Sequence, residues 1–250
     1  MLNRALVTLL PLVPRPVVWR VSKRYIAGKS LETALDCVRS LNSEGMSATL
    51  DVLGEDTTSR DDATHGRDLY LAALAAIEER GLDCNVSVKL SQMGLRFDAD
   101  LCRSVMNDLV SDAAARENFV RIDMEDASVT QVTLDLYREL RLEHACVGTV
   151  VQAYLKRTPD DVRQLIDEEV AHLRLCKGIY VESPEIAFHG KEEIRTAYTE
   201  ILRQLFTSNA EKIAIATHDR PLVEAALAMI EELGIGHPCT QPIKFFSPQN

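Results

Sequence analysis

The sequence predicts an α/β protein of the (β/α)8 TIM-barrel type, distorted and incomplete, with six clear strands and the last two units missing. Short apolar runs alternate with amphipathic helical patterns, which is the order of a parallel sheet with crossover helices. Polar side chains follow nearly every predicted strand, as in a barrel, whereas an open doubly wound sheet would concentrate them at one switch point. Only residues 234–250 follow the last predicted helix, which is too short a segment for two further strand and helix units.

The composition indicates one large domain that does not bind nucleic acid. Of the 250 residues, 46% are hydrophobic, which is enough for a substantial core. The formal net charge of -10 excludes a general electrostatic affinity for nucleic acid, so any anion site has to be a local pocket. The six cysteines are scattered, without C-x-x-C motifs or histidines at metal-ligand spacing, which is typical of reduced core residues in a cytoplasmic protein.

Residues 1–45 are predicted to form an N-terminal helical arm. The opening apolar run is short and broken by Pro11 and Pro14, and no segment approaches the roughly 20 apolar residues of a membrane span. Residues 15–30 mix basic and apolar side chains, which predicts an amphipathic helix whose polar face is either solvated or in contact with an acidic partner or a lipid surface. Ser30 is predicted to cap a helix over residues 30–42 that ends before Gly45.

The barrel domain, residues 46–233, carries the six predicted strands and the helices between them. The strand predictions cover residues 48–53, 85–90, 119–124, 146–153, 173–178 and 212–218. The helix predictions comprise residues 67–80, a helix capped by Asp98, a helix capped by Thr158, and residues 191–206 and 221–233. Residues 234–250 are predicted to be an irregular tail, because their three prolines leave room for one short strand at most.

Two charged residues end neighbouring predicted strands and are expected to pair. Lys89 ends a β-branched run, where it is an ion-pair partner, a carboxylate-binding group or a Schiff-base nucleophile. Asp123 ends the next strand and is its expected counter-ion, because a buried charge is costly alone. A purely structural pair and a functional pair both fit this pattern, and the same habit on three consecutive strands favours a functional site.

Two cations and a glycine interrupt the next-to-last predicted strand. If this strand is buried, Arg174 and Lys177 need anionic partners, and Gly178 lets a ligand approach the backbone closely. A bound cofactor that is polyanionic or electron-rich would meet both demands.

Three further polar residues lie at predicted strand ends. Gln152 offers an amide donor and acceptor to a heterocycle, although a glutamine in a surface loop fits equally well. Thr217 and His218 end a strand and open a helix, where a phosphate can bind, but His218 can also be a packed core residue. No nucleotide-binding glycine motif, nucleophile elbow or zinc pattern is present in the sequence.

The motifs LGE (53–55), VSVKLSQ (86–92), VRIDMED (120–126), VVQAYL (150–155), RLCKGIY (174–180) and ATH (216–218) together resemble the proline dehydrogenase family. This family comprises flavin-dependent enzymes of proline catabolism, and the resemblance extends over roughly residues 15–233. It implies a distorted (β/α)8 barrel that holds FAD at the carboxyl ends of its strands. The implied reaction oxidises L-proline to 1-pyrroline-5-carboxylate and passes electrons to a membrane quinone, in the cytoplasm or peripherally at the inner face of the membrane.

The resemblance also implies roles for particular residues. Lys89 would bind the proline carboxylate and pair with Asp123, and Tyr180 would line the substrate pocket. Arg174 would approach the N5 side of the flavin. The other implied cofactor contacts are Gln152 at the isoalloxazine ring, Lys177, Gly178 and Ile179 at the diphosphate, and Thr217 and His218 along the rest of the dinucleotide.

The sequence departs from the family pattern at its C-terminal end. Similar enzymes continue into two further strands and a helix with adjacent arginines that clamps the substrate carboxylate, and this sequence contains no adjacent arginines. Two alternatives therefore stay open. The chain is a truncated, non-catalytic remnant that binds flavin or partners another chain, or it is a Schiff-base aldolase with Lys89 or Lys177 as nucleophile.

Overall fold

The computed structural model describes residues 26–28, 30–54, 56–235 and 243–246. Strands and helices alternate through these residues. The strands are β1 (Ile26–Gly28), β2 (Ala48–Val52), β3 (Cys84–Val88), β4 (Val120–Ile122), β5 (Val147–Gln152), β6 (His172–Cys176), β7 (Lys212–Ala216) and β8 (Ile243–Phe246). The helices are α1 (Leu31–Ser43), α2 (Arg60–Glu79), α3 (Ala99–Ala115), α4 (Thr130–Glu143), α5 (Thr158–Asp167), α6 (Lys191–Phe206) and α7 (Arg220–Leu233).

The strands form one parallel sheet in the order β1-β8-β2-β3-β4-β5-β6-β7. The six predicted strands are β2 to β7, and they lie side by side in sequence order, which confirms the repeating β/α architecture. Two short strands add to the predicted count, because β8 pairs with both β1 and β2. Within the described residues no pairing joins β1 to β7, so the sheet has an open seam.

The sheet curls around an interior. The Nη2 atom of Arg174 on β6 lies 3.3 Å from the hydroxyl of Thr49 on β2. These strands are four steps apart in the sheet order, which is about 19 Å in a flat sheet. One side chain cannot span that distance, so the strands between them must bend round, as in a barrel.

Both faces of the central strands are buried, which is typical of a parallel sheet covered by helices. Leu50, Val86, Val120 and Leu173 are fully buried and alternate with residues of the interior, so they face the helices. Burying each such side chain contributes roughly 1.5–3 kcal/mol. The interior instead carries buried polar residues, namely Thr49, Asp51, Ser87, Arg121 and Arg174.

The two ends of the described chain differ from their predictions. Residues 26–28 were predicted to be helical but form β1, because pairing with β8 outweighs the amphipathic pattern. Ser30 caps α1, and residues 15–25 and 29 of the predicted helix lie outside the described residues. Within residues 234–250, β8 spans Ile243–Phe246, and the prolines of this segment flank the strand without interrupting it. In the part of the chain that the structure describes, no helix is long and apolar enough to cross a membrane.

Helices α1, α2 and α3 each start at a capping side chain. The predicted caps Ser30 and Asp98 accept hydrogen bonds from the main-chain N–H groups three residues later, at 3.4 and 3.0 Å. The predicted start of α2 at residue 67 is wrong, because Ser59 caps this helix and it begins seven residues earlier. Thr158 is also wrong as a cap, since it lies inside α5 and its hydroxyl donates to the main-chain oxygen of Gln152.

Candidate active site at the carboxyl ends of the strands

Lys89 follows β3 and lies between two carboxylates. Its Nζ atom is 2.6 Å from Oδ2 of Asp51 and 3.6 Å from Oδ2 of Asp123. The predicted contact with Asp123 is therefore present, but Asp51 on β2 is the nearer partner and was missed as a site residue. Asp51 is 1% exposed and the Lys89 side chain 13% exposed, so solvent screens this pair weakly.

The carboxylate of Asp51 is held by a hydrogen bond from Tyr70 of α2. The buried hydroxyl of Tyr70 lies 3.0 Å from Oδ1 of Asp51 and 2.7 Å from the main-chain oxygen of Ser87, and it accepts a hydrogen bond from the N–H of Val52. Burial raises the pKa of Asp51 to about 6, although the charge of Lys89 acts in the opposite direction. Burial also raises the pKa of Tyr70, so its hydroxyl stays protonated and remains a donor.

Arg174 reaches across the interior from β6 and is 6% exposed. Its Nη1 atom lies 3.3 Å from the hydroxyl of Ser87 and 3.4 Å from Oδ1 of Asp123. The Ser87 hydroxyl donates to the same oxygen of Asp123 at 2.6 Å. Burial lowers the pKa of Arg174, but a guanidinium remains charged near neutral pH.

Asp123 therefore joins two of the predicted cations. One of its oxygens faces Lys89 and the other faces Arg174. The structure thus brings Lys89, Asp123 and Arg174 together from three strands, as their positions at strand ends predicted.

Gln152 ends β5 with a buried side chain, 2% exposed. Its side-chain amide donates to the main-chain oxygen of Glu125 at 2.8 Å. The main-chain oxygen of Gln152 accepts a hydrogen bond from the hydroxyl of Thr158 at 2.6 Å. Glu125 is itself buried and accepts hydrogen bonds from the N–H and hydroxyl of Ser91. The surface-loop alternative for Gln152 is therefore wrong, because its side chain is buried at the end of β5 and its amide binds the loop after β4.

Lys177 lies in the loop after β6, with 41% of its side chain exposed. Its Nζ atom is 3.1 Å from Oδ2 of Asp219. The same carboxylate accepts two hydrogen bonds from Arg195, at 2.7 Å through Oδ1 and at 3.2 Å through Oδ2. Hydrogen bonding to Arg195, aided by Lys177, lowers the pKa of Asp219 to about 2. Arg195 and the carboxylate of Asp219 were not predicted as parts of the site.

Gly178 adopts a left-handed backbone with a φ of +102°, and a Cβ atom there would lie 2.0 Å from the ring of Tyr154. The fold itself therefore requires glycine at this position. Ile179 follows with 86% exposure, and Tyr180 is half-buried.

The start of α7 holds the last two predicted residues. The hydroxyl oxygen of Thr217 accepts a hydrogen bond from the N–H of Asp219 at 3.1 Å, which orders the turn before the helix. His218 is exposed, so the packed-core alternative for it is wrong.

The described residues contain no cluster of three or more histidine, cysteine, aspartate or glutamate side chains that could hold a metal ion. The strand ends offer a buried guanidinium, a buried amide, a partly exposed lysine and an exposed isoleucine. These donors and this apolar surface suit an organic cofactor with an anionic part.

A model of the proline dehydrogenase family matches residues 34–244. The chain belongs to the proline dehydrogenase family. This is a family of oxidoreductases, and the resemblance drawn from the motifs is confirmed.

Curated relatives and solved structures agree with this family. Proline dehydrogenase 2 of Bacillus subtilis is 35% identical over 214 residues, which cover 86% of this chain and 70% of the relative. The proline dehydrogenase of Deinococcus radiodurans is 31% identical over 229 residues, which cover 89% of this chain and 73% of the relative. The crystal structure of proline utilization A (PutA) from Bdellovibrio bacteriovorus, inactivated by N-propargylglycine, is 20% identical with a TM-score of 0.82, and the match covers 92% of this chain and 31% of that chain. This structural likeness confirms a distorted, incomplete TIM-barrel-type fold.

Proposed function

We propose that this chain is an FAD-dependent L-proline dehydrogenase that oxidises L-proline to 1-pyrroline-5-carboxylate and passes the electrons to a membrane quinone. The observation that carries the proposal is the bridge from Lys89 through Asp123 to Arg174, which connects a carboxylate-binding cation to a buried guanidinium at the strand ends. The relatives named proline dehydrogenases support the substrate. The free thiols of the described cysteines fit the reducing cytoplasm. Peripheral access to the quinone at the inner face of the membrane is part of the proposal.

Lys89 is the group that binds the carboxylate of proline. Asp51 and Asp123 hold its ammonium in place, while the partial exposure of its side chain leaves it within reach of a ligand. Tyr180, which is half-buried in the loop after β6, is the residue proposed to line the substrate pocket.

The same geometry argues against Lys89 as a Schiff-base nucleophile. A nucleophilic lysine must be neutral, whereas an aspartate at 2.6 Å favours the charged form.

The donor set fits FAD. When bound, FAD supplies the acceptor for the hydride that leaves the ring carbon next to the nitrogen of proline. Arg174 provides a fixed positive charge in a buried setting, where it stabilises negative charge far better than in water. Gln152 presents an amide held by the Glu125 loop. The residues proposed to bind the dinucleotide beyond the flavin ring are Lys177, Gly178, Ile179, Thr217 and His218.

The visible spectrum of the purified chain tests this proposal, first as isolated or after addition of FAD, and then with anaerobic L-proline. Flavin that binds and loses its colour with proline supports both the cofactor and the hydride transfer. Flavin that binds and keeps its colour favours the non-catalytic flavin-binding alternative, and failure to bind flavin refutes the proposal.

A matched pair of variants makes the result specific to the site. Arg174→Met removes the buried guanidinium, whereas Arg163→Met removes one that is 61% exposed on α5. We expect Arg174→Met to slow the bleaching by at least about tenfold and Arg163→Met to leave it unchanged.

A further inference from the structure

We propose that Arg195 is a positioning residue that neutralises the carboxylate of Asp219 and thereby keeps the charge of Lys177 available for an anion. The anion would be the diphosphate of the bound dinucleotide, so the inference rests on the proposed function. Arg195 lies on α6, outside the residues that the motifs identified.

Asp219 does not act as its position in the sequence suggests. It occupies the N-cap position of α7, where aspartate usually accepts a hydrogen bond from the helix, yet its side chain makes no capping bond. The carboxylate turns instead toward Arg195 and Lys177 and is 6% exposed in this arrangement. It therefore connects α6, the loop after β6 and the start of α7.

The contact with Arg195 is a two-point fork. Nη2 of Arg195 lies 2.7 Å from Oδ1 of Asp219, and Nε lies 3.2 Å from Oδ2. A planar guanidinium paired with both carboxylate oxygens is the strong and specific form of this interaction. Arg195 also pairs with Glu192 at 2.7 Å, but that carboxylate is 80% exposed and well screened.

The charge balance shows what this fork does for Lys177. Without Arg195, Lys177 and Asp219 would form a neutral pair. An approaching anion would then be repelled by the Asp219 carboxylate, which is hydrogen-bonded to the lysine. With Arg195, two cations share one shielded anion, and one positive charge is left over. Since 41% of the Lys177 side chain is exposed, that charge is presented to solvent at the carboxyl ends of the strands.

Binding of FAD and of riboflavin, which lacks phosphates, tests this role by quenching of flavin fluorescence. We expect Arg195→Gln to weaken FAD binding by about tenfold, with no change for riboflavin, because the lost charge acts on the diphosphate. The double variant with Arg195→Gln and Asp219→Asn restores the charge balance, so we expect FAD affinity within about threefold of the parent protein. Arg195→Lys keeps the charge and should behave likewise.

The control is Arg203→Gln, which removes an exposed arginine from the same helix and should leave both affinities unchanged. Equal weakening for both flavins in Arg195→Gln, or no recovery in the double variant, would mean that Arg195 is merely structural and would overturn the inference while leaving the proposed function intact. A parent protein that binds no FAD would overturn both. If Arg195→Gln does not fold, as judged by circular dichroism, the double variant and Arg195→Lys still test the inference. Both lack the two-point contact between Arg195 and Asp219, so both would bind FAD weakly if Arg195 were merely structural.

Discussion

Replacing Lys89 by methionine should destabilise the protein in a manner that depends on pH. The substitution keeps most of the apolar stem of the side chain but removes the ammonium that pairs with the carboxylates of Asp51 and Asp123. Removing one partner of a buried ion pair typically costs about 3–5 kcal/mol, and we expect about 3 kcal/mol because the Lys89 side chain is 13% exposed. For a chain of this size that is a fall of about 6–12 °C in melting temperature.

The pH dependence follows from Asp51. Burial raises its folded-state pKa to about 6, and the charge of Lys89 lowers it, so the variant must have a still higher pKa. A raised folded-state pKa contributes stability that is present below the unfolded value of about 3.9 and is lost as pH rises through the folded value. The cost of the substitution is therefore larger at about pH 8 than at about pH 5, where Asp51 is protonated and no longer needs a counter-ion.

Thermal denaturation of Lys89→Met and the parent protein at both pH values measures the effect. Lys191→Met, which removes an exposed lysine at the start of α6, is the control and should melt like the parent. A variant that melts within about 1 °C of the parent at about pH 8, or equally lower at both pH values, would refute the reasoning. In the active protein we also expect kcat/KM for proline to fall by about 10–150-fold, the value of one hydrogen bond to a charged group.

Three further predictions concern local structure. Gly178→Ala should lower the free energy of unfolding, measured with denaturant, by about 2–4 kcal/mol, because the added Cβ atom collides with the ring of Tyr154. A loss below about 1 kcal/mol would show that the ring moves aside easily and that glycine is not required. Asp219→Asn should destabilise near neutral pH and progressively less as pH falls toward 2, since the folded pKa of Asp219 is lowered to about 2 and its contribution is lost on protonation; melting curves across that range test the sign. Ser59→Ala should cost about 1 kcal/mol by loss of the α2 cap, whereas an unchanged unfolding free energy would show that the cap is dispensable.

The strands and most helices could be predicted because their signals are local. Each of β2 to β7 is a short apolar run, and Ser30 and Asp98 mark helix starts by their own hydrogen bonds. Helix α4 was not predicted, because Val129 precedes it without a capping side chain. Its buried residues Thr133, Leu134, Tyr137 and Leu140 recur at helical spacing, and this pattern could have identified it.

The two strands that were not predicted, β1 and β8, required information that no local window holds. They come from opposite ends of the chain; β1 pairs with β8, and β8 pairs with β2 as well. A three-residue strand has too few residues to show a period of its own.

Asp51 and Asp219, which pair with two of the predicted cations, were missed for a similar reason. Asp51 lies 38 residues before Lys89, and the two meet only because β2 and β3 are neighbours in a curled sheet. Arg195 forms an ion pair with Glu192 three residues earlier in its own helix, which is an ordinary surface pattern. The sequence therefore does not indicate that Arg195 also pairs with Asp219. Motifs and strand order therefore identified Lys89, Arg174, Lys177 and Asp123, whereas Asp51, Arg195 and the role of the Asp219 carboxylate became apparent only in the fold.

The bridge through Asp123 makes the substrate side and the cofactor side of the proposed site a single electrostatic unit. Lys89 and Arg174 share this counter-ion through its two oxygens, and Ser87 binds one of those oxygens as well. Loss of either cation leaves the shared carboxylate to pair with the remaining one, which changes the position and charge balance of a group that the substitution did not touch. Free-energy changes for the two cations should therefore not add, because residues in one hydrogen-bonded network are coupled. The energetic role of Lys89 can be defined only together with that of Arg174, and the carboxylate between them is the reason.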